Sequence, residues 1–170
     1  MTETACEYAK NILIFEEGFS DTPYRCTAKK LTIGYGTNLE DGILPKKAVD
    51  AIIEKGKISK EYAAQILDDS VETLHIKLEH RLPFYRDESF TVQAVLICMA
   101  YQMGFSDLME FKNTLGYLKD DKYAEAAEEM LDSEWYRDDT PERAQRMSNI
   151  IRKVANNKFF EEYGPHDESL

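Results

Sequence analysis

The chain has 170 residues, of which 43% are hydrophobic, and carries a formal net charge of −11 at pH 7. This length is sufficient for one globular domain with a sizeable core. Nucleic acid is not expected as a partner, because phosphate binding needs clustered Lys and Arg, whereas acids outnumber bases here. No apolar run approaches the ~20 residues of a membrane-spanning helix, and no signal-peptide pattern stands at the N-terminus. We therefore expect no stable membrane insertion.

The cysteines and histidines show no ligand spacing. Cys6, Cys26 and Cys98 are odd in number and far apart in the sequence, which predicts free thiols and synthesis in a reducing cytoplasm. Cys6 and Cys98 fall in apolar helical patterns, where cysteine usually behaves as a small buried hydrophobe. His75 and His80 lie on a predicted helix without metal-ligand spacing, so we expect no metal site.

The first forty residues predict a helix followed by a β-hairpin. Apolar residues at helical spacing predict a helix over residues 4–16, with Gly18 just past its end. Further on, apolar residues alternate with small or polar ones from Leu31 to Gly36, as in a strand. That alternation puts Thr32 on one face together with two glycines, whose bare backbone is expected to leave room for a bulky ligand.

The rest of the chain predicts mostly helices. Residues 37–45 are rich in turn formers and predict turns or a short third strand. Ser59 is typical of an N-cap and opens the longest predicted helix, which would extend for ~35 Å. The predicted helices cover residues 46–55, 59–82, 90–103, 112–119, 122–131 and 140–153, and residues 164–170 predict a frayed tail.

Glu17 is the first candidate for chemistry. It stands at the C-terminus of the first helix, where unpaired carbonyls disfavour a carboxylate and so raise its pKa. A general acid at neutral pH requires a pKa shifted in that direction. Thr32 would be the only hydroxyl beside the expected gap. The residues alone leave plainer interpretations open, namely an exposed helix-end glutamate and a β-favouring threonine.

The spacing of three polar residues is similar to a known signature. Eight residues separate Glu17 from Cys26, five separate Cys26 from Thr32, and Ile33-Gly34-Tyr35-Gly36 follow. This order resembles the catalytic segment of phage-type lysozymes, the family of the T-even and lambdoid phage endolysins. Later segments extend the resemblance to roughly residues 6–152: Met99-Ala100-Tyr101-Gln102-Met103-Gly104, Ala126-Ala127, Trp135-Tyr136 and Thr140-Pro141-Glu142-Arg143-Ala144.

The resemblance implies an α+β, mainly α fold of two lobes. A small β-hairpin lobe over about 14–58 would be joined by an interlobe helix at about 59–82 to a larger helical lobe. That larger lobe would take in about 83–160 and the N-terminal helix. The expectation is a single domain over 1–165, with a flexible tail at 166–170.

The resemblance also implies a role for individual residues. Glu17 would be the general acid and Arg143 its ion-pair partner, while Cys26, where many members have Asp, and Thr32 would position or activate water. A thiol is a poorer base than a carboxylate unless positive charge, as from Arg25, Lys29 or Lys30, ionises it. Glu129 replaces the usual small or amide residue and is expected to alter which peptide stems are accepted. The implied substrate-binding residues are Gly36, Asn38, Tyr101, Gln102, Thr114 and Glu129.

The implied function is that of an endolysin-type muramidase. It would hydrolyse the β-1,4 bond between N-acetylmuramic acid and N-acetylglucosamine in peptidoglycan, as a monomer and without a cofactor. The implied setting is phage-induced lysis, with synthesis in the host cytoplasm and release to the periplasmic wall through a separate membrane-permeabilising protein, a holin. Two alternatives stay open: a catalytically inactive glycan-binding or virion structural protein of the same fold, and a lysozyme toxin delivered between bacteria.

Overall fold

The computed structural model describes residues 4–163, excluding the side chains of 139 and 159–163. It confirms a mainly helical α+β fold with a small antiparallel sheet. The helices are α1 (Ala5–Glu17), α2 (Lys46–Lys55), α3 (Lys60–Arg81), α4 (Phe90–Met103), α5 (Phe105–Met109), α6 (Lys112–Lys119), α7 (Tyr123–Leu131) and α8 (Pro141–Tyr163). The strands are β1 (Ser20–Arg25), β2 (Leu31–Gly34) and β3 (Thr37–Asn38). None of the helices over residues 4–163 is both long and apolar enough to cross a membrane.

The three strands follow each other in the order β1-β2-β3. Thr32 on the central strand is paired with Tyr24 on one side and with Asn38 on the other. Directly paired residues of an antiparallel sheet share a face, so these three side chains form one row. The sheet thus gathers a phenol, a hydroxyl and an amide on the face that the sequence assigned to Thr32.

Helix α4 is the centre of the larger lobe. All residues from Ala94 to Ala100 are buried, and the helix packs against α1, α3 and α8. An apolar surface on every side is typical of a helix enclosed by neighbours. Its last turn carries Tyr101 and Gln102, which are partly exposed and so lie where the core ends.

Helix α3 connects the sheet to this core. The Ser59 side chain accepts the N–H of Tyr62 at 3.1 Å, which confirms the predicted N-cap. Gly34, at a φ of +64°, presses against the first turn of α3, and a Cβ there would stand 3.0 Å from the Cβ of Ala63. The expectation that both glycines leave room for a ligand is therefore wrong for Gly34, because the protein itself fills that space.

Several boundaries differ from the sequence-based prediction. Helix α8 does not end at 153 but continues to Tyr163, and Val154 and Ala155 pack against the core in that extension. The short helix α5 and the π-helical turn Trp135–Asp139 were not predicted, since segments of five residues are too short to show helical periodicity. The predicted tail at 164–170 lies outside the described residues.

Candidate active site

Glu17 is held at the end of α1 by an arginine from the start of α8. Its side chain is only 9% exposed, and Gly18 ends the helix directly behind it. Arg143 bonds both carboxylate oxygens, with Nη1 at 2.9 Å from Oε1 and Nη2 at 2.9 Å from Oε2. Nη2 also donates to the backbone carbonyl of Glu16 at 3.1 Å. One guanidinium therefore fixes the carboxylate and satisfies a carbonyl that the helix end leaves unpaired.

The pKa of Glu17 lies above the ordinary value for glutamate. Burial is the largest cause, since it disfavours the charged form, and the adjacent charge of Glu16 acts in the same direction. The charge and hydrogen bonds of Arg143 oppose this shift without cancelling it. The pKa of Glu17 is thus raised although its carboxyl is paired with an arginine.

Glu16, which precedes Glu17 at the helix end, has a buried side chain as well. Its side chain is 1% exposed, and Arg146 Nη2 donates to its Oε2 at 2.6 Å. Arg143 and Arg146 are three residues apart, so they lie on the same face of α8 and meet the two consecutive glutamates together. Sequence reasoning missed Glu16 and Arg146, although the three-residue spacing of the arginines was a usable signal.

Gly36 supports the carboxylate of Glu17 by having no side chain. It follows β2 with a φ of +72°, and a Cβ built on it would lie 2.6 Å from Glu17 Oε2. Glycine is therefore required both by the left-handed backbone and by the close approach of the carboxylate. The structure supports this packing role for a residue that the resemblance placed among the substrate contacts.

Cys26 occupies the turn between β1 and β2. Its N–H donates to the carbonyl of Lys30 at 3.1 Å, and its own carbonyl accepts the N–H of Lys29 at 2.8 Å. Burial would raise the pKa of the thiol, but hydrogen bonds from the Lys30 and Ala28 backbones and from Thr32, together with the Lys30 charge, outweigh it. The pKa of Cys26 consequently lies below the ordinary value for a thiol, the direction that favours a thiolate.

The three nearby cations do not contribute equally to this shift. Arg25 turns to Glu40, with Nη1 at 2.9 Å from Oε1, and also donates to the carbonyl of Lys29. Lys29 takes a left-handed backbone at a φ of +61° in the turn. Lys30 is the cation whose charge stabilises the Cys26 thiolate.

Thr32 is buried beside Cys26, with 3% of its surface exposed. Its hydroxyl donates to the carbonyl of Lys30 at 3.0 Å. A hydroxyl has one proton, so Thr32 can donate either to that carbonyl or to the thiolate at one time, and in both cases its lone pairs can accept from water.

Tyr24 is a site residue that sequence reasoning missed. It pairs with Thr32 across the sheet. Burial raises the pKa of its phenol, and the charges of Glu17 and Cys26 raise it further. Both candidate catalytic groups are therefore within electrostatic reach of one phenol. The signal in the sequence was the two-residue spacing of Tyr24 and Cys26, which places both on one face of an extended segment.

The last turn of α4 carries two of the predicted substrate-binding residues, Tyr101 and Gln102. Tyr101 donates its hydroxyl to the carbonyl of Tyr35 at 2.6 Å, so it ties the helical lobe to the segment after β2 in addition to presenting its ring. Gln102 has both amide atoms buried without a hydrogen-bond partner among the described residues. The Asn38 amide oxygen accepts the N–H of Glu40 at 2.8 Å and so stabilises a local turn.

Thr114 and Glu129 lie elsewhere, in a separate groove. This groove has a volume of about 680 Å³ and is formed by residues between Met103 and Trp135, with none of the three candidate catalytic residues in its lining. The structure thus groups Glu17, Arg143 and Gly36, places Cys26 with Thr32, and puts Thr114 and Glu129 in the lining of this groove. Within residues 4–163, no group of three or more His, Cys, Asp and Glu side chains is placed to hold a metal ion.

Comparison with known proteins identifies the family. Residues 15–155 match the family described as phage lysozyme. The chain belongs to the phage lysozyme family. Its relatives include Probable T4-type lysozyme 1 of Dictyostelium discoideum, 30% identical over 165 residues that cover 88% of this chain and 96% of that protein. Probable T4-type lysozyme 2 of the same organism is 27% identical, over 84% and 92% of the two chains. Membership of this family makes the chain a peptidoglycan hydrolase of the general muramidase type.

Replacing Gly36 with alanine tests the packing against Glu17. The added Cβ would collide with the carboxylate and occupy an unfavourable φ, so we expect a loss of about 1–3 kcal/mol in the free energy of unfolding. The clash should also move Glu17 away from Arg143, which NMR titration of the Glu17 carboxyl would show as a changed pKa.

Gly42→Ala provides the matched control. Gly42 has a similar φ of +78° but open space around its Cβ position. The Gly42→Ala variant should show a similar loss in the free energy of unfolding, because its backbone φ is also unfavourable for alanine. The pKa of Glu17 should not change in this variant. Equal titration curves for the two variants would contradict the packing role assigned to Gly36.

Alkylation rates should separate the three thiols. The pKa of Cys26 is lowered, whereas burial raises the pKa of both Cys6 and Cys98. Because the thiolate is the reactive form, iodoacetamide near neutral pH should modify Cys26 first and Cys98 last. Peptide mass spectrometry over a time course measures the order, with Cys26→Ser as the control. Faster labelling of Cys6 than of Cys26 would contradict the lowered pKa.

Proposed function

We propose that this chain hydrolyses the β-1,4 bond between N-acetylmuramic acid and N-acetylglucosamine, with Glu17 as the general acid. Glycoside hydrolysis needs a proton for the departing oxygen and an activated water on the other side of the sugar. The observation that carries the proposal is the buried Glu17 carboxyl, whose pKa is raised in spite of the two bonds from Arg143. A raised pKa is the direction that lets a carboxyl keep a proton for the leaving group.

In this proposal, Cys26 and Thr32 handle the water. As the water oxygen attacks the sugar, the Cys26 thiolate takes one proton from the water. The Thr32 hydroxyl oxygen accepts a hydrogen bond from the other water O–H. The lowered pKa of Cys26 supports this assignment, because a thiol with an ordinary pKa would be mostly protonated at neutral pH. Thr32 can accept this bond from water whether its own proton is given to the Lys30 carbonyl or to the thiolate, because the hydroxyl oxygen keeps its lone pairs in both cases.

The two proposed roles require an unusual combination of protonation states. Glu17 must be protonated while Cys26 is ionised, although an ordinary glutamate has a pKa of about 4.3 and an ordinary thiol about 8.5. The structure raises the first pKa and lowers the second, so it increases the fraction of molecules in the required state. We expect a bell-shaped pH profile for such a pair.

Arg143 has two roles in this mechanism. It fixes the orientation of the Glu17 carboxyl through a bidentate pair. It also stabilises the carboxylate that forms once the proton has moved to the leaving oxygen. The cost is a lower pKa for the acid, which the burial of Glu17 offsets.

We further propose Gln102 as a sugar contact. Its unpartnered amide offers one donor group and one acceptor, the pair that an N-acetyl group can bind. The ring of Tyr101 and the amide nitrogen of Asn38 complete the proposed contacts. Both side chains are partly exposed, and in each the side-chain oxygen already makes a hydrogen bond within the protein.

The biological setting stays a prediction. The relatives named above are proteins of Dictyostelium discoideum, and their names do not mention host lysis. A monomeric enzyme that depends on a holin and reaches the wall after synthesis in a host cytoplasm remains our proposal. Detection of a membrane-hole protein encoded beside this chain would support it.

Glu17→Gln tests the proposed acid. The amide keeps the shape of the side chain but has no proton to give, so hydrolysis should fall by at least about 100-fold, the typical contribution of a general acid. The measurement is mass spectrometry of the muropeptides released from peptidoglycan, which identifies the bond cut. Glu54→Gln is the control, since Glu54 is an exposed glutamate near the end of α2. Full activity of Glu17→Gln would refute the acid role, and binding without release of muropeptides by the unmodified chain would favour the inactive alternative.

Cys26→Asp tests the proposed base. An aspartate ionises at a much lower pH than a thiol, so the limb of the pH-rate profile that reports residue 26 should move down by several pH units. The limb that reports Glu17 should stay close to its original position. Cys26→Ser should lose most activity at every pH, because serine provides no base. A pH-rate profile that is the same in Cys26→Asp as in the unmodified chain would show that ionisation of residue 26 is not required.

A further inference from the structure

Glu40 lies just after β3, and its carboxylate binds both ends of the turn at residues 26–30 that carries Cys26. Its Oε1 accepts a hydrogen bond from Arg25 Nη1 at 2.9 Å, and its Oε2 accepts the backbone N–H of Leu31 at 2.9 Å. Arg25 is the last residue of β1 and Leu31 the first of β2, and the two are paired across the sheet. One carboxylate therefore joins the residue before the turn to the residue after it.

The same arginine also binds inside the turn. Arg25 Nη1 donates to the carbonyl of Lys29 at 2.9 Å. Lys29 has a φ of +61°, a left-handed conformation that costs free energy for a residue with a Cβ. The ion pair with Glu40 fixes the guanidinium, and the guanidinium in turn stabilises the turn at its least favourable residue.

The backbone that carries Glu40 is itself well supported. Asn38 Oδ1 accepts the N–H of Glu40 at 2.8 Å. The preceding residue, Leu39, is buried, and its N–H donates to the carbonyl of Leu31 at 2.9 Å. The carboxylate thus reaches the turn from a position that the sheet fixes on its own.

The turn supplies groups that face the Cys26 sulfur. Hydrogen bonds from the backbones of Lys30 and Ala28 and from the Thr32 side chain lower the pKa of the thiol, and the Lys30 charge acts in the same direction. On β1, Tyr24 is a further titratable group that interacts with charge on the sulfur. The two backbone N–H groups belong to the turn, so their direction depends on its conformation.

We propose that Glu40 is a positioning residue for Cys26, which holds the turn so that the Ala28 and Lys30 N–H groups point at the sulfur. This inference rests on the proposed function, because Cys26 acts there as the base. Arg25 and Glu40 are 59% and 46% exposed, and such an exposed ion pair contributes little to the stability of the whole fold. Its effect is therefore local: it stabilises the thiolate through the conformation of the turn.

The sign of a pKa change distinguishes this role from a simple charge effect. A carboxylate that acted only through its negative charge would destabilise the nearby thiolate, so its removal would lower the pKa of Cys26. A carboxylate that holds the turn stabilises the thiolate indirectly, so its removal raises that pKa. The two explanations thus predict opposite shifts.

Glu40→Ala and Glu40→Gln measure the shift. Alanine removes both bonds of the carboxylate, whereas glutamine keeps one acceptor oxygen. The alkylation rate of Cys26 by iodoacetamide, followed against pH by peptide mass spectrometry, reports the thiolate fraction. We expect its midpoint to rise by about one pH unit in Glu40→Ala, the scale of one hydrogen bond to a charged group, and by less in Glu40→Gln.

Asp41→Asn is the matched control. It removes the same charge from the next residue, and Asp41 accepts the N–H of Ile43 instead of a bond from the turn. The pKa of Cys26 should therefore stay level or fall slightly in this variant. A pKa of Cys26 that is unchanged or lowered in both Glu40 variants would overturn the inference. Should Glu40→Ala unfold at a much lower temperature than the unmodified chain, Glu40→Gln decides, because its side chain keeps the shape of glutamate.

Hydrolysis of peptidoglycan gives the second measurement. In both Glu40 variants, the limb of the pH-rate profile that reports residue 26 should move up together with the alkylation midpoint, while the limb that reports Glu17 stays in place. A raised alkylation midpoint with an unchanged pH-rate profile, or with no cleavage even by the unmodified chain, would instead refute the proposed function. The positioning of the Cys26 thiol by Glu40 would stand in that case.

Discussion

The pair between Arg143 and Glu17 is the constraint on which the site depends. It joins the first turn of α8 to the last residue of α1 through two bonds of 2.9 Å and a third to a backbone carbonyl. A buried carboxylate without such a partner would carry a large desolvation cost. A pair that fully ionised the carboxyl would, however, remove the proton that the proposed general acid must give to the leaving group. The buried position resolves this conflict, because it raises the pKa of Glu17 more than Arg143 lowers it.

The replacement of the usual aspartate by Cys26 fits the same electrostatic pattern. A thiol begins with a pKa above neutrality and must be lowered to act as a base, whereas a buried glutamate must be raised to act as an acid. Backbone N–H groups of the turn and the Thr32 hydroxyl stabilise the thiolate. Hydrogen bonding in the hairpin therefore lowers the pKa of the thiol toward that of the group it would replace, although a carboxylate needs no such help to ionise.

The acidic residues near the C-terminal part of the helical lobe do not all have the same environment. Most acidic residues between Gly116 and Glu134 are exposed, as is usual for a solvated helix surface, and Glu128 is one of them. Glu129 and Glu134 instead face a groove that contains a buried, unpartnered hydroxyl. Neighbouring residues of one helix can thus differ in role, because successive positions point about 100° apart around the axis.

The sequence by itself determined the elements and the family. The position of Glu17 before Gly18, the N-cap at Ser59 and the bounds of α2, α4 and α6 followed from local signals, since caps and helical periodicity depend on neighbouring residues. Tertiary structure alone decided the contacts between distant segments: the burial of Glu16 against Arg146, the approach of Gly36 to Glu17 and the bond from Tyr101 to the Tyr35 carbonyl. Such pairs are brought together by core packing, so no local pattern shows which side chains are buried or which charges meet. For the same reason the pKa directions of Glu17 and Cys26, on which the proposed chemistry depends, follow from the folded environment and not from local sequence alone.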